Sequence, residues 1–223
     1  MIDKNPVDKV QLPKILPKKH LTLLPDEIGI FLDDARLFNM HEFFILELST
    51  GLRMGEILAL EWQDFDYDNQ TITINKQLQT INGVDTIIAP KTINSNRTIK
   101  ISAECCEELK ALKENQKSDS SIMFQAEDGS YLKRKYVLEI LHAIQDSNGL
   151  TRTTFHGLRH TFETIAVSQN LDVKTISHML GHTDAGFTMN TYMSVTDDMQ
   201  VAVANSMQSL IQSKMEEEIK AGT

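Results

Sequence analysis

Between Trp62 and Ile101 the apolar residues of this chain change period, and that change confines the fold to a narrow set. Upstream, Ile28, Phe31, Leu32 and Ala35 recur at helical spacing behind Pro25-Asp26-Glu27, which reads as a first turn, and a second helix is expected from His41 to Ser49. Within the interval, Thr71-Ile72-Thr73-Ile74 alternates, Asn82-Gly83 is a hairpin turn, and Arg97-Thr98-Ile99-Lys100-Ile101 alternates again. Downstream, Ser102 is placed to cap a helix reaching about Lys117, and Tyr131 to Asp146 forms another with Asn148-Gly149 as its stop. A helix from Asp172 to Leu180 ends at Gly181, and helices continue to the end. The expected fold is mainly α, within the α+β class: a helical domain with a small three-stranded antiparallel sheet.

The residues that carry chemistry cluster late. Thr154-Phe155-His156-Gly157-Leu158-Arg159-His160 is followed by Leu180-Gly181-His182 and then by Tyr192. Two histidines and an arginine can hold and protonate a phosphodiester, and a tyrosine downstream can attack it if a second arginine is supplied from elsewhere. Arg53 is that arginine. It lies in Thr50-Gly51-Leu52-Arg53-Met54-Gly55-Glu56, where an apolar helix breaks at Gly51 and another starts after the arginine, so its guanidinium leaves from a helix terminus.

With Thr-Gly-Leu-Arg-x-Gly-Glu early, His-x-Leu-Arg-His late, Leu-Gly-His next and a terminal tyrosine, the chain resembles the catalytic domain of the tyrosine recombinases, the phage and transposon integrase family. Each piece alone is weak, but four in the right order are specific. The resemblance covers about residues 20 to 195 and implies the fold of the DNA breaking-rejoining enzymes.

It also implies roles. Arg53 and Arg159 would clamp the two non-bridging oxygens of the scissile phosphate, whose geometry suits a planar fork of donors. Tyr192 would be the nucleophile and His156 would accept its proton, since a phenol with a pKa near ~10 needs help to attack at neutral pH. His182 would donate to the phosphate. Lys91, at the turn before the last strand, would protonate the departing 5'-oxygen, Lys76 and Lys100 being the other lysines of the sheet. Glu56, one helical turn from Arg53, would brace the site, against the plainer reading of an exposed salt bridge. His160 is expected to be structural, a helix-start contact. The implied chemistry is cleavage and rejoining of DNA through a 3'-phosphotyrosine, with no metal, no cofactor and no ATP. The implied partners are double-stranded DNA and, on paired sites, three further copies of the chain in a homotetramer, with a monomer when isolated.

A formal net charge of -9 runs against non-specific affinity for nucleic acid, so positive charge has to be local. Lys91, Arg97 and Lys100 lie in one ten-residue stretch without an acid, and Lys133-Arg134-Lys135 begins a helix; these are the candidate DNA contacts. Acids collect instead at Asp64 to Asp68 and at Glu216-Glu217-Glu218.

At 223 residues and 41% hydrophobic the chain can bury one sizeable core. Residues 1–20, with Lys4, Lys9, Lys14, Lys18, Lys19 and three prolines, read as a linker or residual interdomain segment, followed by a catalytic domain over 21–195. Over 196–223, Met199, Val203, Met207, Ile211, Met215 and Ile219 recur every four residues, an amphipathic helix or tail that packs on its own domain or on a neighbour. No run approaches the ~18 apolar residues of a membrane helix, and the start lacks a signal-peptide core. A cytoplasmic protein is expected. The two cysteines, Cys105 and Cys106, are neighbours unsuited to bridging each other, and one should face a core.

Two other classes compete. His156-x3-His160 and His178-x3-His182 would suit a zinc hydrolase, but Gly157 stands where a glutamate base would be needed, and an arginine inside the first pair repels a cation. A non-catalytic DNA-binding or assembly module of the same fold is the second, although all the motif positions are filled. A type IB topoisomerase is a variant within the enzyme class, and the length and Leu-Gly-His spacing look more like an integrase.

Overall fold

A computed structural model of the chain describes residues 21–89, 96–116, 120–169 and 171–181. Lys91, His182, Tyr192, the segment 1–20 and the amphipathic stretch 196–223 lie outside the described residues.

Seven helices and five strands are seen among the described residues: α1 Glu27–Leu37, α2 His41–Thr50, α3 Met54–Leu58, β1 Phe65–Asp66, β2 Thr71–Ile74, β3 Gln77–Ile81, β4 Val84–Ile88, β5 Arg97–Lys100, α4 Ala103–Asn115, α5 Arg134–Ser147, α6 Phe155–Ser168 and α7 Val173–Leu180. The central element is α2, which packs against α1, α4 and α6. It suits that place because Phe43, Phe44 and Leu46 are all buried. Phe43 meets Phe44, Phe124 and Phe155 edge-on at ring separations of 5.4, 5.1 and 6.0 Å, contacts that add about 0.5–1.5 kcal/mol each beyond area burial.

The alternation in the sequence is realised as an antiparallel sheet in the order β1-β2-β5, with Ile72 opposite Ile99 and Ile74 opposite Arg97. Two of its strands, β2 and β5, are the alternating segments of the sequence; the third, the two-residue β1, is not one that the sequence marked out. The Asn82-Gly83 turn forms as well, with positive φ at both residues, but it closes a separate two-stranded unit, β3-β4. That hairpin leans on α3 and forms one wall of the site.

Caps fall largely where the sequence puts them. Ser102 Oγ accepts from Cys105 N, and α4 ends at Asn115, two residues short of expectation. The helix expected from Tyr131 starts at Arg134 instead, because Tyr131 pairs with Gln125 in an isolated antiparallel bridge after the Gly129 turn. Both cysteines are buried, where one was expected to be. Burial pushes the Cys105 thiol up to about 11, a rise that its contact with Ser49 only partly opposes.

Candidate active site

Helix α2 cannot continue past Thr50, because Gly51 turns left-handed at φ 63 and its amide closes the last turn on Glu47 O at 2.7 Å. The position also needs the missing side chain: a Cβ there would stand 2.7 Å from both Leu180 Cδ2 and Phe162 Cδ1. The chain leaves in extended conformation and re-enters a helix at Met54, with Arg53 as N-cap. Glu56 Oε2 accepts from the Arg53 backbone N at 2.9 Å, and Glu56 Oε1 accepts from Arg53 Nη1 at 2.9 Å. Arg53 therefore projects from a helix start, half-exposed at 39% of its side-chain surface.

Helix α6 begins at a threonine cap, Thr154 Oγ1 accepting from Gly157 N at 3.1 Å. His156 and Arg159 sit one turn apart. Arg159 points inward and is 3% exposed; its Nη1 donates to Gly51 O at 2.7 Å and its Nη2 to Leu180 O at 2.8 Å. His156 stays exposed, its ring 4.6 Å from that of His160 in an edge-on contact. Arg53, His156 and Arg159 line one cleft of about 290 Å³, together with Arg134 from α5 and Gln77 and Gln79 from β3.

The electrostatics suit an anion. Burial first, and the neighbouring Arg53 second, pull the Arg159 guanidinium down to about 10, with Glu56 and Glu47 holding it up. Crowding of like charges in a partly dry site is the arrangement that an incoming phosphate relieves. Burial would raise the Glu56 carboxyl, yet the hydrogen bonds and charge of Arg97 and Arg53 outweigh it and hold the group below its ordinary value. Glu56 is thus no exposed salt bridge: it is buried and shared between two arginines.

Arg97 requires a correction. Expected on a DNA-facing surface, its side chain is 1% exposed, with Nη2 2.9 Å from Glu56 Oε2 and Nη1 3.1 Å from Oε1. The reason is strand parity: β5 buries Arg97 and Ile99 and exposes Thr98 and Lys100. Lys100 does face water, donating to Asn69 O at 2.5 Å. Lys76 is tied to Glu61 and Asp64, both at 2.7 Å. Of the basic trio, Lys133 pairs with Asp85 at 2.6 Å, Lys135 lies 3.6 Å from Glu139, and Arg134 turns into the cleft. His160 is no helix-start contact either; it lies in the second turn of α6, buried, with Nδ1 3.2 Å from Glu163 Oε2. No three His, Cys, Asp or Glu side chains gather into a metal-binding group among the described residues, and His182 falls outside them.

Sequence reasoning missed one residue near the site. Glu47, on α2, is fully buried, and neither carboxylate oxygen has a hydrogen-bond partner. Burial raises its pKa well above the ordinary 4.5, Arg159 opposing and Glu56 reinforcing the shift. Its only signal is its place one turn before Gly51.

The domain is helical and gathers Arg53, Arg134, Arg159 and His156 into one cleft. The family model of the phage integrase family matches residues 23–199, and the chain belongs to that family. It is 28% identical to the ICEBs1 integrase of Bacillus subtilis (strain 168), covering 95% of this chain and 60% of the relative. It is 26% identical to the transposase from transposon Tn916 of Enterococcus faecalis, covering 99% of this chain and 59% of that protein. The chain thus spans about 60% of the length of these curated relatives. Its fold is that of the tyrosine recombinase catalytic domain. The Tn1549 transposon integrase in complex with transposon right end DNA superposes with a TM-score of 0.80 at 23% identity, over 93% of this chain and 72% of that one. XerA recombinase superposes with a TM-score of 0.68 at 20% identity, over 88% and 67% of the two chains. No helix among the described residues is long and apolar enough to cross a membrane.

Proposed function

We propose that this chain is the catalytic part of a site-specific recombinase that integrates or excises a mobile element. The observation that carries the reading is the convergence of Arg53 with His156 and Arg159, from two stretches of sequence about a hundred residues apart, on one cleft. Arg53 and Arg159 bind the non-bridging oxygens of the scissile phosphate and offset charge as the pentacoordinate state forms. Tyr192 Oη attacks phosphorus, passing its proton to His156. The bond from phosphorus to the 5'-oxygen breaks, Lys91 protonates that oxygen, and His182 donates to the phosphate. The product is a 3'-phosphotyrosine and a free 5'-hydroxyl. Because the ester retains the energy of the broken bond, a second 5'-hydroxyl attacks it, restores the tyrosine and reseals the strand without ATP or metal.

The working partners are double-stranded DNA and, on paired sites, a homotetramer assembled from chains that are monomeric in isolation. Residues 21–195 form the catalytic unit, 1–20 an interdomain segment and 196–223 an amphipathic tail, and the protein acts in the cytoplasm. Relatives support the partner: the Tn1549 integrase is seen with transposon end DNA and a lambda integrase dimer with a core site.

The test is trapping on a nicked suicide duplex built from the junctions that flank the gene, without added metal. A covalent protein–DNA band in a denaturing gel, absent from Tyr192→Phe, is the expected result. A chain that binds the duplex and gives no band would instead be a non-catalytic assembly module.

A further inference from the structure

The C-terminus of α7 meets three arginines in succession. Met179 O accepts from Arg97 Nε at 2.7 Å, Leu180 O from Arg159 Nη2 at 2.8 Å, and Gly181 O from Arg53 Nη2 at 3.1 Å. The last carbonyls of a helix have no partner within it and carry its negative end, so they suit guanidinium donors. Here the donors come from β5, α6 and the start of α3.

Arg97 closes the arrangement. Its fork grips both oxygens of Glu56, and the same two oxygens accept from the Arg53 side chain and backbone. A path of hydrogen bonds thus runs from Arg97 through Glu56 to Arg53, on to Gly181 O, and back along the α7 terminus to Met179 and Arg97. The fit leaves no room for a side chain at residue 181: a Cβ would stand 2.7 Å from Arg97 Nη1 and 2.9 Å from Cζ, and φ is +64. The guanidinium packs closely against Gly181, the residue that precedes His182 in the sequence.

We propose that Arg97 is a positioning residue for strand cleavage, holding Arg53 through Glu56 and the end of α7, at Leu180 and Gly181, through Met179 O. Without its fork, Glu56 is a buried carboxylate facing Arg53 alone. Arg53 then pivots toward Glu56 and away from the cleft, and the α7 terminus loses one of its three anchors. This role rests on the strand-cleavage reading above for its kinetic consequence but not for its geometry.

Two measurements on the 223-residue chain decide it. On the nicked junction duplex, Arg97→Met should slow single-turnover formation of the Tyr192 adduct by on the order of 100-fold, the usual penalty for a displaced reacting group. Affinity for the uncleaved duplex and the final yield of adduct should hold within about twofold, whereas a merely structural role would lower the yield with the folded fraction and leave the rate constant unchanged. Arg97→Lys should recover less than about a tenth of the parental rate, because an ammonium cannot reproduce the fork. Combined with Glu56→Gln, Arg97→Met should add little further loss. A rate constant within about threefold of the parent would overturn the proposal. Side-chain 15N spectra give the second, activity-free readout: in Arg97→Met the guanidinium signals of Arg53 and Arg159 should both move. Unmoved signals would also overturn it. A parent chain without a Tyr192-dependent adduct would sink the cleavage chemistry, while the spectra would still decide whether Arg97 sets the two arginines.

Discussion

The cations of this chain fall into two groups with opposite relations to water. Arg97 and Arg159 are buried, and with Arg53 they are held by Glu56 and by backbone carbonyls whose positions the fold dictates. Lys100, Lys133 and Lys135 stand in solvent, and the two ion pairs they make, Lys133 with Asp85 and Lys135 with Glu139, leave them 66% and 86% exposed. The first group cannot rearrange without breaking buried bonds; the second can follow a moving partner at little cost. This division explains how a chain of net charge -9 can present a strong local positive field. Three guanidiniums crowd one end of α7, and Glu56 is the carboxylate that two of them share.

The contrast breaks most sharply at Arg159. Replacing it by lysine keeps the charge and loses the fork that reaches Gly51 O and Leu180 O. Adduct formation on the nicked duplex should fall on the order of 100- to 1000-fold with duplex binding little changed. A rate near that of the parent would mean that the buried group is no more specialised than the exposed one.

The exposed group should behave differently. Lys133→Gln with Lys135→Gln is expected to weaken duplex affinity roughly tenfold and to reduce the slope of log Kd against log salt by about 2, as for two lost phosphate contacts. Fluorescence titrations at several salt concentrations measure this, and an unchanged slope would remove both lysines from the DNA surface.

The smallest effect is at Glu47, and it is one of sign. Its folded-state pKa is raised above 4.5, so between that value and the raised one the folded chain binds more protons than the unfolded chain. The contribution of Glu47 to stability is fully present below 4.5 and is lost as pH rises through the window. Glu47→Gln should therefore gain melting temperature relative to the parent as pH increases. A difference that stays flat with pH would mean that burial of this acid costs nothing.

How much of this was legible in the sequence depends on the range of the interaction involved. The helices around Phe31 and Phe43 and the strands at Ile72 and Ile99 follow from local period, and Gly51 and Gly181 mark real helix ends. Arg53 and Arg159 were found because motif order carries information that neither residue has alone. Arg97 was misplaced for a correctable reason. The alternation that announced β5 also puts Arg97 on the face of Ile99, and parity would have sent it inward. Glu47 could not have been read in the same way. An acid on a helix ordinarily turns to water, and its burial depends on α6 and α7 closing over the end of α2, a contact between segments more than a hundred residues apart. The succession of three carbonyls facing three arginines is likewise a fact of tertiary assembly, since no spacing in the chain encodes it.

The burial of Cys105 and Cys106 has a practical consequence. The chain has no other cysteine, and a thiolate, the species that maleimides and iodoacetamides attack, is scarce where burial pushes the Cys105 thiol up to about 11 and raises that of Cys106 as well. The protein is therefore close to optically blank for thiol-directed dyes as it stands. A cysteine introduced at exposed Lys135 would be the fast-reacting position, and a fluorophore there could report the approach of DNA to α5 while the native core keeps both of its sulfurs.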